Sequence, residues 1–108
     1  MTRLFVGTGY LSPVNEIIDS HYIGHVAASD RDRERLKTRI KVFRATFSDI
    51  VITIEDQLAD GDKVATRMTA RGTHRLTDKA TILMGLNISQ IAQGKFVEEW
   101  AAWETLVD

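Results

Sequence analysis

The sequence predicts an α+β domain in which helices come first and a curved antiparallel sheet folds back over them. Three observations carry this reading. Apolar residues recur at helical spacing between Leu36 and Phe47, the period drops to two from Ile50 onward, and two glycine-bearing turns punctuate the second half. The chain has 108 residues, the size of one domain spanning 1–108. Hydrophobic residues make up 44% and charged residues 27%, the balance of a globular chain with a real core.

The elements follow in order. Met1 to Leu11 shows no clear period. Ser12-Pro13 reads as a helix start, with Ser as N-cap and Pro in the first turn, where its missing N–H costs nothing. Val14, Ile17 and Ile18 form a short apolar stripe that fades near Ser20, and His21 to His25 reads as an extended or turning link. Asp30 is the next N-cap candidate. Behind it, Leu36, Ile40, Phe43 and Phe47 mark one face of a helix. The charges from Arg31 to Lys37 mix acids with bases and read as its solvated side. Ile50, Ile52 and Ile54 then alternate with Val51, Thr53 and Glu55, one strand. Asp60-Gly61-Asp62 turns the chain into a second strand running to about His74. Arg75 to Lys79 is a polar connection. Ile82, Met84, Leu86 and Ile88 form one face of a third strand, and Gln93-Gly94 leads into a fourth ending near Leu106. A sheet curled around a helix leaves an open end, the natural place for a small molecule.

Composition narrows the chemistry. There is no cysteine, so disulfides, thiolate metal sites and cysteine nucleophiles are excluded together. Fourteen basic and 15 acidic residues leave a net charge of −1, without the basic excess of a nucleic-acid partner. No apolar run nears the roughly 20 residues of a membrane-spanning helix, and the apolar start at Leu4-Phe5-Val6 is too short for a signal core. A cytoplasmic location is the default expectation. His21, His25 and His74 lack metal-type spacing, Gly7-Thr8-Gly9 is not a phosphate loop, and no serine sits in a nucleophile elbow. No metal is expected.

The remaining candidates lie on the strands. His74 shares parity with Val64, Met68 and Ala70, so it either lines a cavity mouth or is satisfied at the rim of the core. Alternation puts Glu99, Ala101 and Trp103 on one side of the last strand and Glu98, Trp100 and Glu104 on the other. At least one carboxylate therefore shares a face with an indole. A carboxyl in a dry aromatic pocket holds its proton more tightly and can shuttle it at working pH; glutamates on the solvent side would do nothing of the kind. Arg67 and Arg71 carry the polar parity of their strand and are expected outside.

Three runs resemble the SnoaL-like polyketide cyclases: Ala59-Asp60-Gly61-Asp62-Lys63-Val64-Ala65, Arg67-Met68-Thr69-Ala70-Arg71-Gly72-Thr73-His74, and Gln93-Gly94-Lys95-Phe96-Val97-Glu98-Glu99-Trp100. Gly85-Leu86-Asn87-Ile88 fits the same pattern. The resemblance implies a cone-shaped curved antiparallel sheet packed on N-terminal helices, the nuclear transport factor 2-like or cystatin-like fold. It also implies a homodimer and cofactor-free acid–base chemistry of cyclase, isomerase or aldol type on a hydrophobic carbonyl or polyketide-like compound. By position, Tyr22 to His25, His74 and Trp100 match the family's pattern. Glu99 stands where cyclases have His, Ala101 where an acid commonly follows the Trp, and Glu104 at a retained acidic position. The loop after His74 is short, and Met1 to Pro13 does not look like the usual N-terminal helix.

The resulting expectation makes Glu99 or Glu104 the proton shuttle and His74 a polar orienter. Trp100 and Trp103 are walls, and Tyr22, His25, Met68, Met84 and Asn87 complete the substrate contacts. The partner is a small hydrophobic molecule, with neither nucleic acid nor membrane. The rival expectation is a non-catalytic ligand-binding or dimerisation module on the same fold. A cavity with a carboxyl in its wall speaks for catalysis; one filled by methionine and tryptophan side chains speaks for the module.

Overall fold

The computed structural model describes residues 2–4, 14–26 and 29–107. Strand β1 (Thr2–Leu4) precedes helix α1 (Val14–Ile17), strands β2 (Ile18–Val26) and β3 (Ser29–Arg31), helix α2 (Arg33–Thr46), and four long strands. These are β4 (Phe47–Asp60), β5 (Lys63–His74), β6 (Ala80–Ala92) and β7 (Lys95–Val107). All seven strands join one sheet in the order β1-β4-β5-β6-β7-β2-β3.

The β4 to β7 meander forms as the alternation and turn chemistry dictate. Gly61 takes φ 62° to close the first hairpin, and Gln93 and Gly94 both take positive φ, 54° and 77°, to close the third. Such backbone twist matches the twist of the flanking strands. The β5–β6 ladder runs without interruption from Lys63↔Gln90 to Thr73↔Ala80.

The N-terminal half differs from expectation. The helix beginning near Ser12 is a single turn that stops at Ile17, and the expected link is the nine-residue strand β2. Ser12 and Pro13 lie outside the described residues. Residues Ile23 to Val26 of β2 pair with Glu98 to Ala101 of β7, and the two strands are parallel, so the sheet is not purely antiparallel. Val14 and two β2 residues, Ile18 and Tyr22, are buried together, with Leu36 and Ile40 of α2 and Phe96 of β7 packed on them. Burial against a helix and a neighbouring strand outweighs the weak local preference of this segment. The α2 cap also moves. Asp32, not Asp30, is the N-cap, its carboxylate accepting from the Arg35 amide at 2.9 Å. Asp30 is taken up in β3.

The two faces of the meander are unlike. One carries Ile50, Ile52 and Ile54 of β4, Val64, Met68 and Ala70 of β5, and Asn87 and Ser89 of β6. Ile50, Ala70 and Ser89 are buried. The other carries Leu58, Ala65, Arg67, Leu86, Ile88, Trp100 and Ala102, and Leu58, Leu86, Ile88 and Trp100 are exposed. Among the described residues no helix is long and apolar enough to cross a membrane.

Candidate functional site

Glu99 projects from β7 directly opposite Ser89 of β6. The Ser89 hydroxyl lies 2.7 Å from Glu99 Oε2 and 2.6 Å from Asn87 Oδ1, its neighbour two residues along the same face. The Tyr22 hydroxyl, from β2 on the far side of β7, donates to Glu99 Oε1 at 3.0 Å. Tyr22 and Ser89 are both about 95% shielded from solvent, and Glu99 is half-buried. Burial first, then the charge and hydrogen bond of Glu99, push the Tyr22 phenol well above its ordinary range; Arg31 opposes this weakly. Tyr22 therefore stays a hydrogen-bond donor at any physiological pH.

Glu99 stands in the wall of a cavity of about 470 Å³. Its other walls are mainly apolar, including Ile54, Val64, Met68, Ile91 and Phe96, and its polar groups include Gln57, Thr66, Asn87 and Ser89. The arrangement is one carboxylate, oriented from both sides by buried hydroxyls, facing an apolar space of small-molecule size. Each oxygen of an ionised carboxylate has two acceptor positions. The Tyr22 and Ser89 bonds occupy one on each, leaving one on each for a proton from a bound molecule.

A second, shallower recess of about 660 Å³ lies on the opposite face, lined by His25, Asp56, Arg67, Leu86, Ile88 and Trp100 among others. Here His25 stacks on Trp100 with ring centroids 5.4 Å apart. Its Nε2 is 2.6 Å from Glu98 Oε2 and its Nδ1 is 2.7 Å from Asp30 Oδ1. The hydrogen bond to Glu98, then that to Asp30, raises the His25 pKa above its ordinary 6.5. The Lys63 ammonium lies 5.7 Å from the centre of the Trp100 ring.

The sequence profile of the SnoaL-like polyketide cyclases matches residues 1–106. The chain belongs to that family. This SnoaL-like chain thereby falls among enzymes that act on small molecules. No curated relative matches it in sequence. It is similar to IdmH, a candidate polyketide cyclase from Streptomyces antibioticus, at 28% identity and TM-score 0.84 over 92% of this chain and 84% of that one. A candidate polyketide cyclase from Bacillus cereus is also 28% identical, with TM-score 0.81 over 93% of this chain and 67% of that one. A protein from Catenulispora acidiphila with a ketosteroid isomerase-like fold has 12% identity and TM-score 0.75, covering 89% of this chain and 75% of that one, a likeness of fold alone.

On this SnoaL-like frame the sequence candidates separate into three groups. Glu99, Tyr22, Met68 and Asn87 gather at the inner cavity. Trp100 and His25 belong to the outer recess, and Met84 shares the outward parity of Leu86 and Ile88 and pairs with Glu104. Glu104 is exposed there, on the face opposite to Glu99, because five strand positions reverse the side-chain direction. His74 shares the inner parity but sits at the end of β5, six residues and about 20 Å along the strand from Met68. Its Nδ1 accepts from the Leu76 and Thr77 amides, and its ring meets Phe47 edge-on. It closes the turn after β5 rather than approaching Glu99. Trp103 has the parity of Glu99 but lies over Gly85, where an added Cβ would come within 2.7 Å of the indole. The carboxyl–indole pairing expected for the cavity is thus a carboxyl–phenol–hydroxyl cluster.

Ser89 is the cavity residue that sequence reading missed. Its signal was the row Leu83, Gly85, Asn87, Ser89, the less apolar parity of β6. The larger apolar row, Ile82 to Ile88, reads from sequence only as one face of the strand, and it is the outward one.

Proposed function

We propose that the inner cavity is a cofactor-free acid–base site in which Glu99 takes a proton from a carbon next to a carbonyl of a hydrophobic, polyketide-like compound. The observation that carries this is a single carboxylate held by Tyr22 and Ser89 in the wall of an apolar cavity. The C–H bond breaks, its electron pair remains as the enolate, and the proton resides on Glu99. Attack of the enolate carbon on a second carbonyl forms the ring bond, and Glu99 returns the proton to the new alkoxide. Nothing is lost or gained overall. Apolar walls strengthen the polar contacts made to the enolate oxygen. The apolar outer row Leu58, Leu86, Ile88 and Trp100 is the face through which two copies pack in the same reading.

The test follows deuterium uptake from D₂O at the carbons beside the carbonyl of 2-tetralone, a bicyclic ketone small enough for the cavity. The wild-type chain accelerates exchange above background, and Glu99→Gln, with unchanged circular dichroism, does not, whereas Glu104→Gln exchanges like wild type. Equal exchange in wild type and Glu99→Gln overturns the assignment and leaves the cavity as a ligand-holding module.

A further inference from the structure

Ser89 makes two short contacts with one proton. Its hydroxyl oxygen lies 2.7 Å from a carboxylate oxygen of Glu99 and 2.6 Å from the side-chain amide of Asn87. Ser89 is 5% exposed, so water does not complete either contact. A hydroxyl donates once. Two arrangements satisfy both contacts with the Ser89 proton used in one of them. When Glu99 is ionised, Ser89 donates to Oε2, the stronger, charge-assisted acceptor. Asn87 must then turn its NH₂ to the serine oxygen, which presents the amide carbonyl to the cavity. When Glu99 carries a proton on Oε2 it donates that proton to the Ser89 oxygen, so Ser89 donates to Asn87 Oδ1 and the Asn87 NH₂ faces the cavity. The two arrangements differ by rotation of the Asn87 amide about its terminal bond, and the hydrogen-bond network sets which way it points.

We propose that Ser89 is a positioning residue that couples the protonation of Glu99 to the orientation of Asn87, so that an N–H donor is presented to the substrate oxygen at the moment the carbon proton reaches Glu99. This rests on the acid–base reading of the cavity and deepens it. The proton taken from carbon neutralises Glu99 and creates the enolate oxygen together. The Ser89 hydroxyl keeps its proton and rotates to donate to Asn87 Oδ1, and the Asn87 amide turns so that its NH₂ meets the new negative charge. Asn87 lines the cavity, so its amide is within the same space as the reacting molecule. Other groups do not confuse the titration. Tyr22, on β2, keeps its proton throughout, and Glu99 is the only carboxylate and the only charged residue lining the cavity among the described residues. Arg31, on β3, opposes the upward shift at Tyr22.

The experiment has two arms on the full chain. By NMR, the side-chain NH₂ signals of Asn87 and the carboxyl carbon of Glu99 are followed against pH without ligand. In wild type both move with one midpoint. In Ser89→Ala the Glu99 carbon still titrates while the Asn87 signals stay still, and Ser89→Thr, which keeps the hydroxyl, restores the joint transition. In the second arm, 2-tetralone exchange falls roughly tenfold to hundredfold in kcat in Ser89→Ala with little change in KM, the signature of an interaction made in the transition state. Asn87 signals that follow Glu99 in Ser89→Ala, or fail to follow it in wild type, overturn the coupling. Joint titration in a wild-type chain that exchanges no ketone upholds the coupling and sinks the catalytic reading instead.

Discussion

Replacing Tyr22 with Phe removes one hydroxyl and leaves the ring in its place among Val14 and Ile18. What is lost is the 3.0 Å donation to Glu99 Oε1. A hydrogen bond to a charged group is worth about 1.5–3 kcal/mol. Glu99 borders an open cavity, so water can replace the phenol at Oε1 and offset part of this, leaving a cost of roughly 1–2 kcal/mol. For a chain of this length that is a Tm lower by about 5–10 °C. The pH dependence is a sharper check. The Tyr22 phenol ionises at a higher pH in the folded chain than its ordinary value of 10 in the unfolded one. Its contribution is therefore whole below pH 10 and is lost as pH climbs above 10 toward the folded value. Urea unfolding from pH 7 to 11 reads both. Wild type holds a constant margin over Tyr22→Phe up to about pH 10, and the margin narrows beyond it. A mutant with the wild-type midpoint at pH 7, or a parallel alkaline limb, refutes the claim that this phenol holds Glu99.

Two further outcomes follow from the outer face and from β6. His25 has a folded pKa raised by Glu98 and then Asp30, so its stabilisation is present below pH 6.5 and fades as pH rises through the folded value; Tm measured from pH 5 to 8 shows this limb, and His25→Gln abolishes it. Gly85→Ala drives a methyl into the Trp103 ring at 2.7–2.8 Å, and because that indole is 43% exposed it swings outward, at a cost of about 1–3 kcal/mol with a red-shifted tryptophan emission; unchanged emission would mean that the backbone moved instead.

Much of the fold was readable in advance because its signals are local. Alternation along Ile50 to Ile54 and Val64 to Ala70, and glycines able to adopt positive φ at 61 and 94, specify hairpins without reference to anything distant. The first strands were not readable. Ile18 to Val26 has a mixed pattern, and its pairing with β7 joins residues more than seventy positions apart, for which no period in one segment speaks. Asp30 and Asp32 are both plausible caps by type, and only the start of the helix chooses between them.

The site divides along the same line. Residue types and strand parity alone set Glu99 apart from Glu98 and Glu104, placed His74 with Met68, and put Arg67 outside, because a period of two is a property of the strand itself. Which parity encloses space and which faces outward was settled by the curl of the sheet and by what covers it. That is why Leu86 and Ile88 of the richer apolar row of β6 are exposed while the row bearing Asn87 and Ser89 lines the cavity. Tyr22 reached Glu99 only because β2 lies parallel beside β7, a long-range pairing whose stability comes from burying Ile18 and Tyr22 under α2.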